Sequence, residues 1–239
     1  MNPALNQTST LPPADYTKGD CLRDLAALKE RLFVLQKRFY AKSNKALLVI
    51  FQGMDTAGKD STIRHVMSSM NPAGVHVKSF KRPTEEELQH DFLWRVYPHF
   101  PPKGMIQVFN RSYYEDILVP KLQASLAPGR LEHRFELIAN LERHLQINNT
   151  DILKFFLHVS KEEQLKRIEE RKQDPEKRWK YEVADEQAAL RYLEILQTYT
   201  ELVQRCATVP WHVVPSDKKW YRNFYVAQEL VHCLQELIA

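Results

Sequence analysis

The chain has 239 residues, 44% of them hydrophobic and 27% charged, with a net charge of +4. That length suits one large α/β domain and disfavours two full ones. The small positive excess neither requires nor excludes an acidic partner, which the distribution of charge must decide.

The first fifteen residues, MNPALNQTSTLPPAD, lack the charged-then-apolar order of a signal peptide and read as a loose arm. The longest apolar runs, such as ALLVIF, would cross less than half a bilayer. Cys21, Cys206 and Cys233 stand far apart with no C-x-x-C pair, which argues against a disulfide framework or zinc site. The expectation is a soluble, cytoplasmic protein with no membrane partner.

Over residues 21–40, Leu22, Leu25, Leu28, Leu32, Leu35 and Phe39 recur at three- and four-residue steps, one face of an amphipathic helix. Short apolar runs then alternate with helical segments. ALLVIF (46–51), VHVKSF (75–80), MIQVF (105–109), DILKFFLHV (151–159) and WHVVP (211–215) read as strands buried on both faces. Helices are predicted over 59–70, 85–97, 130–148, 161–172, 184–206 and 220–238. This alternation predicts a three-layer α/β sandwich around a parallel five-stranded sheet, one domain spanning 1–239. The basic segment KEEQLKRIEERKQDPEKRWKYE (161–182) interrupts it. It reads either as a solvated helix with i,i+4 ion pairs or as a lid carrying Arg167, Arg171, Lys177 and Arg178 over phosphates.

Gly53-Met-Asp-Thr-Ala-Gly58-Lys59 matches the first seven positions of the Walker A phosphate loop. A buried strand precedes it and a helix follows. Glycine lets the chain turn and aim its N–H groups inward, the helix adds its positive end, and Lys59 neutralises phosphate oxygens. Gly53, Thr56, Ala57, Gly58 and Lys59 are therefore candidate phosphate binders. Asp60 occupies the place where a metal-binding Ser or Thr is usual. A carboxylate aimed at phosphates is repelled unless metal intervenes, so Asp60 is expected to turn aside, leaving Ser61 or Asp55 as ligands. Asp55 beside a polyanion makes sense if a divalent cation bridges them.

In VFNRSYYEDILV (108–119), Asn110 and Arg111 fall at the carboxyl end of a buried strand, where α/β sheets collect ligands. Arg111 can fork onto phosphate oxygens or pair with Glu115 or Asp116.

The segments GMDTAGKDSTI (53–63), FKRPTEEELQHDFLWRVYPHFPPKG (80–104), FNRSYYEDILV (109–119), DPEKRWKYE (174–182) and VPWHVVPSDKKWYRN (209–223) closely resemble the polyphosphate kinase 2 family. They cover most of the chain in the family's order, and FNRSYYED in place of FDRSWY is similar to the class III subgroup. The resemblance implies a P-loop kinase fold with a helical lid. It implies phosphoryl transfer from inorganic polyphosphate to nucleotides, ADP and AMP, and a homo-oligomer. The cofactor implied is Mg²⁺, for which Mn²⁺ can substitute, held by Asp55 and Asn110. Asp55, Lys59 and Arg111 take the catalytic places. Phosphate contacts extend to Asp60, Ser61, Arg167, Arg171 and Arg178, and the nucleotide side to Lys81, Arg82, Asp91, Arg95, Glu115 and Asp116.

Two rivals are an ATP-dependent nucleotide kinase on the same loop and a non-catalytic polyanion binder. The second would use basic stretches with aromatics such as Arg178-Trp179-Lys180-Tyr181 and Lys218-Lys219-Trp220-Tyr221-Arg222. No nucleic-acid recognition motif accompanies them, so a nucleic-acid partner is not expected. Nor do the nine histidines show metal-ligand spacing.

Overall fold

Every residue of the run ALLVIFQG is buried, and apolar β-branched segments of this kind pair as central strands. The computed structural model describes residues 4–239. Its sheet is wholly parallel, with β1 (Ala46–Gly53), β2 (Val75–Ser79), β3 (Ile106–Asn110), β4 (Thr150–His158) and β5 (Trp211–Pro215) in the order β2-β3-β1-β4-β5. Val49 of β1 lies between Val108 and Leu153, and Gly53 at its end is registered with Leu157. The five strands lie where their sequence predicts, within two residues.

Helices cover the sheet. These are α1 (Lys18–Lys42), α2 (Lys59–Met67), α3 (Glu85–Leu88), α4 (Glu115–Gln123), α5 (Pro128–Ile147), α6 (Lys161–Gln173), α7 (Val183–Leu190), α8 (Tyr192–Arg205) and α9 (Lys219–Ile238). Thr17 starts α1 by accepting from the Asp20 amide, and Ser160 starts α6 by accepting from that of Glu163. The apolar faces of α1 and α9 pack together, burying Leu32, Leu35 and Phe39 from one and Leu230, Leu234 and Leu237 from the other. None of the described helices is long and apolar enough to cross a membrane.

Four expectations change. Only four residues of 85–97 are α-helical, opened by a Thr84–Glu87 capping box; Asp91 then starts a separate turn by accepting from the Leu93 amide. Helix α4 was not predicted, since Pro120 inside it reads as a breaker. The long helix expected over 184–206 breaks at Arg191, whose backbone sits near φ −94° and ψ 20°. Finally, the arm is not loose over its described residues. Leu5 is wholly buried in the main core, and Thr10 is tied to Asp217 through both side chain and backbone. Full burial of a leucine is worth about 2 kcal/mol, enough to pin a short segment.

Candidate functional site

The carboxyl ends of β1, β3 and β4 converge on the loop after β1. Gly53 has φ +147°, and a Cβ there would lie 2.7 Å from the Leu157 carbonyl oxygen, so only glycine allows this approach to β4. The loop folds over itself through the Ala57 amide, which donates to the Met54 carbonyl at 3.1 Å, with Thr56 at φ +62°. Gly58, at φ +101°, opens α2. No side chain caps that end, which leaves first-turn N–H groups without intrahelical acceptors and makes a ready anion cradle. Lys59 is buried, its Nζ donating to the carbonyls of Gly53 at 2.7 Å and Met54 at 3.1 Å.

Asp60 does turn aside. Its Oδ1 accepts from Asn110 Nδ2 at 2.8 Å, and the same amide also donates to Ser79 Oγ at 3.3 Å. The residue that would repel a phosphate is thus held at the end of β3, beside Ser61 on the first turn of α2. Arg111 sits in the left-handed region at φ +61°, with its amide bonded to the Phe51 carbonyl at 3.0 Å. Such backbone in a non-glycine residue is costly and gathers at functional sites. It directs the guanidinium to Asp55, Nη2 to Oδ1 at 2.5 Å, rather than to either acid of the following helix.

Two carboxyls near this pair are driven in opposite directions. Burial would raise Asp55, but the charges of Lys59 and Arg111 overcome it and hold the group below the ordinary carboxylate range. Burial wins at Glu115, which is raised despite Arg111 and Lys59. With its amide oriented to satisfy both neighbours, Gln52 donates to Glu115 Oε1 at 3.0 Å and accepts from Ser112. Environments that split neighbouring carboxyls in this way are typical of reaction sites.

A cavity of about 460 Å³ opens from the loop. Gly53, Asp55, Lys81, Arg82, Arg111 and Glu115 form one side. Leu118, Leu122, Ala188, Ile195 and Tyr199, from α4, α7 and α8, add an apolar part to the lining. Tyr199 also donates to the Gly53 carbonyl at 3.2 Å. It went unnoticed in the sequence, although it shares the buried face of α8 with Tyr192, Leu196 and Val203.

Other predicted residues lie elsewhere. Asp91 caps a turn. Arg95 is buried, donating to the Lys81 carbonyl at 3.0 Å and to Asp116 at 3.1 Å. This pair therefore braces the Lys81–Arg82 strip from behind instead of lining the cavity. Glu115 faces in and Asp116 out because consecutive helical residues diverge by about 100°. Arg171 pairs with Asp185 at 2.9 Å, close enough to Asp55 that its charge helps depress that carboxyl. Arg178 is exposed on a single helical turn. Arg167 differs most from expectation. Its Nη1 donates to the carbonyls of Thr56 at 3.0 Å and Ala57 at 3.2 Å, so it grips the outside of the loop. Arg222 joins it there, donating to Ala57 at 2.9 Å. The sequence did carry a signal for it, since Arg222 continues the buried i,i+4 series of Val226, Leu230 and Leu234.

Among the described residues no three His, Cys, Asp or Glu gather as a metal cage. Magnesium needs less, being commonly held by one or two carboxylates plus substrate phosphates. Asp55 fits that demand, charged and with 36% of its side chain exposed. Asn110 fits more weakly, because its nitrogen is committed to Asp60 and Ser79 and its carbonyl oxygen is the atom able to coordinate.

A Walker A-type loop at the end of the central strand of a β2-β3-β1-β4-β5 parallel sheet, with a lysine inside it and an arginine at the end of the neighbouring strand, is the arrangement of a kinase-type phosphotransferase. The model of the family Polyphosphate kinase 2 matches residues 16–237, and the chain belongs to that family. It is 44% identical over 223 residues to the AMP/ADP-polyphosphate phosphotransferase of Meiothermus ruber, covering 92% of this chain and 83% of that one. It is 42% identical over 222 residues to the ADP-polyphosphate phosphotransferase of Rhodopseudomonas palustris, covering 87% and 77%. The crystal structure of polyphosphate kinase 2 from Arthrobacter aurescens TC1 superposes with a TM-score of 0.94 at 39% identity, covering 98% of this chain and 85% of the other.

Proposed function

We propose that this enzyme transfers the terminal phosphoryl group of inorganic polyphosphate to nucleoside diphosphates and monophosphates, ADP and AMP among them. The observation that carries the reading is one cavity lined by the start of the loop (Gly53, Met54 and Asp55), by Arg111 and by Lys81 and Arg82. Donor phosphate sits in the loop, where backbone N–H groups and Lys59 bind it. Arg111 faces the same space and offsets charge on the transferring group. The acceptor lies toward Lys81 and Arg82, with its base against the apolar part of the lining.

An acceptor phosphate is already ionised, so Asp55 takes no proton and holds position and charge. Asp55, with the carbonyl oxygen of Asn110, would hold Mg²⁺, which when bound would neutralise charge on phosphate oxygens. The segment 161–182 is the lid. Its base is anchored by Arg167, so closure and exclusion of water fall to the part bearing Arg171 and Arg178. The Meiothermus relative's name includes both acceptors and the Rhodopseudomonas relative's only ADP. Asn110, with the class III form of its motif, supports the broader range here.

The test supplies Mg²⁺ and polyphosphate with AMP or with ADP and resolves the nucleotides over time. Formation of ADP from AMP and ATP from ADP is expected. Use of one acceptor alone overturns the dual range, and activity with ATP as the only donor overturns the polyphosphate reading.

A further inference from the structure

Three consecutive carbonyls of the loop are held from its outer side. Gln164 Nε2 donates to Asp55 O at 3.1 Å, Arg167 to Thr56 O and Ala57 O, and Arg222 Nη1 to Ala57 O at 2.9 Å. With these oxygens drawn outward, the loop presents donors to the cavity and withholds acceptors that would repel an anion.

The two arginines differ in how they are compensated. Arg167 is well satisfied, since it also donates to the carbonyls of Ser216 at 2.7 Å and Asp217 at 3.2 Å and pairs with Glu163 at 2.8 Å. Arg222 is wholly buried; among the described residues no carboxylate hydrogen-bonds to it, and Glu163, whose charge reaches it, is bonded to Arg167. Among the described residues, its one other side-chain bond beyond Ala57 is a long 3.4 Å contact to Asn223 Oδ1, and its Nε has no partner. Burial, and then the like charge of Arg167, push its guanidinium down to about 9. A Cβ built on Gly58 would lie 2.1 Å from Arg222 Nη1, so the cation rests directly against the loop's back.

A mere strut would be better served by a neutral donor. Keeping a cation buried without a bonded carboxylate is costly, and a neutral donor would hold the same carbonyl without that desolvation cost. We infer that Arg222 is a positioning residue for the phosphate polymer, its guanidinium holding the Ala57 carbonyl outward while its unpaired positive charge, acting through one layer of backbone, draws the polyanion into the loop. It never touches substrate. Glu163, the acid whose charge reaches Arg222, is already bonded to Arg167, and the phosphates on the loop's other face add the counter-charge it supplies only in part. This inference rests on the proposed occupancy of the loop by phosphate.

Tripolyphosphate titrated calorimetrically at several salt concentrations, alongside polyphosphate KM and ligand-free urea midpoints, tests it on Arg222→Gln and Arg222→Lys. The glutamine keeps a donor and drops the charge. It is expected to weaken tripolyphosphate binding and raise KM on the order of tenfold, to lessen the salt dependence, and to leave the midpoint at or above that of the native enzyme. The lysine keeps the charge and should stay within about threefold of native affinity. Equal binding by native and glutamine variants overturns the inference, as does a glutamine variant that fails to fold or a lysine variant as weak as the glutamine. Lys59→Met in the same titration separates the two readings. If the native enzyme binds no tripolyphosphate, or binds it equally without Lys59, the loop itself is not the phosphate site and the functional reading fails first.

Discussion

Lys154 stands in the middle of β4 with no solvent exposure, and its ammonium is fully engaged. It donates to Glu142 Oε2 at 2.8 Å, to the Tyr114 hydroxyl at 2.8 Å and to the Cys206 carbonyl at 2.9 Å. Glu142 in turn accepts from the hydroxyls of Tyr113 and Tyr114. Lys154→Met leaves a buried carboxylate facing two phenols. Breaking such a pair costs about 3–5 kcal/mol. Glu142→Leu strands the ammonium at similar cost. The double variant removes both charges but leaves two hydroxyls short of a partner, about 1–3 kcal/mol together after relaxation. The singles together cost about 6–10 kcal/mol, so the expected coupling energy is about 3–9 kcal/mol in magnitude, well above the few tenths seen for independent sites. Urea unfolding followed by tryptophan fluorescence reads it, since Trp211 packs on Tyr114 and its ring lies 4.8 Å from the Lys154 ammonium. Single variants each losing under about 1 kcal/mol, or a strictly additive double, would refute the reasoning. Tyr113 and Tyr114 follow Arg111 closely, so the single variants should also lose turnover per folded molecule.

Arg111→Ala should lower turnover about 10²–10³-fold with the circular dichroism unchanged; near-normal turnover removes it from the transfer step. Gly58→Ala forces a Cβ onto the Arg222 guanidinium at a positive φ. It should cost at least about tenfold in activity and about 1–2 kcal/mol of backbone energy, and a fully active variant would show that the loop's back is soft. Burial pushes His158 down to about 4, against the opposing charge of Asp217. The folded protein keeps this imidazole neutral while the unfolded chain protonates below about 6.5. Its effect on stability is thus absent above that pH, and stability falls as pH drops from about 6.5 to 4, by roughly 3 kcal/mol at most. His158→Leu should flatten this acid limb of the urea midpoint, and an unchanged limb would show that other groups set it.

The strands were legible because each is a short, nearly unbroken apolar run, and a sheet buried on both faces needs no alternation. The loop was legible because few residue types can make that turn. What failed was direction. Arg167 and Arg178 look alike in a basic segment, yet one turns under the loop and the other into solvent. Glu115 and Asp116 are neighbours that part company at the start of a helix containing Pro120, and the proline hid the helix that separates them. Arg95 reads as a cation on the nucleotide side, but its partners Asp116, Glu87 and the Lys81 carbonyl come together only in three dimensions. Leu5 lay in a stretch rich in Pro and Thr, where one apolar residue gives no periodicity to detect.

The stapling of residues 5–10 has a practical side. Asp217 holds Thr10 through one carboxylate oxygen and the amide of Ser160, just before α6, through the other, while its backbone oxygen accepts from Arg167. An engineer trimming this enzyme to the family-matched span of 16–237 would discard Leu5 and Thr10 and slacken the joint at the root of α6. A bulky fusion placed immediately ahead of residue 4 would press on that same joint, so the safer shortened enzyme keeps these residues and carries its tag behind α9.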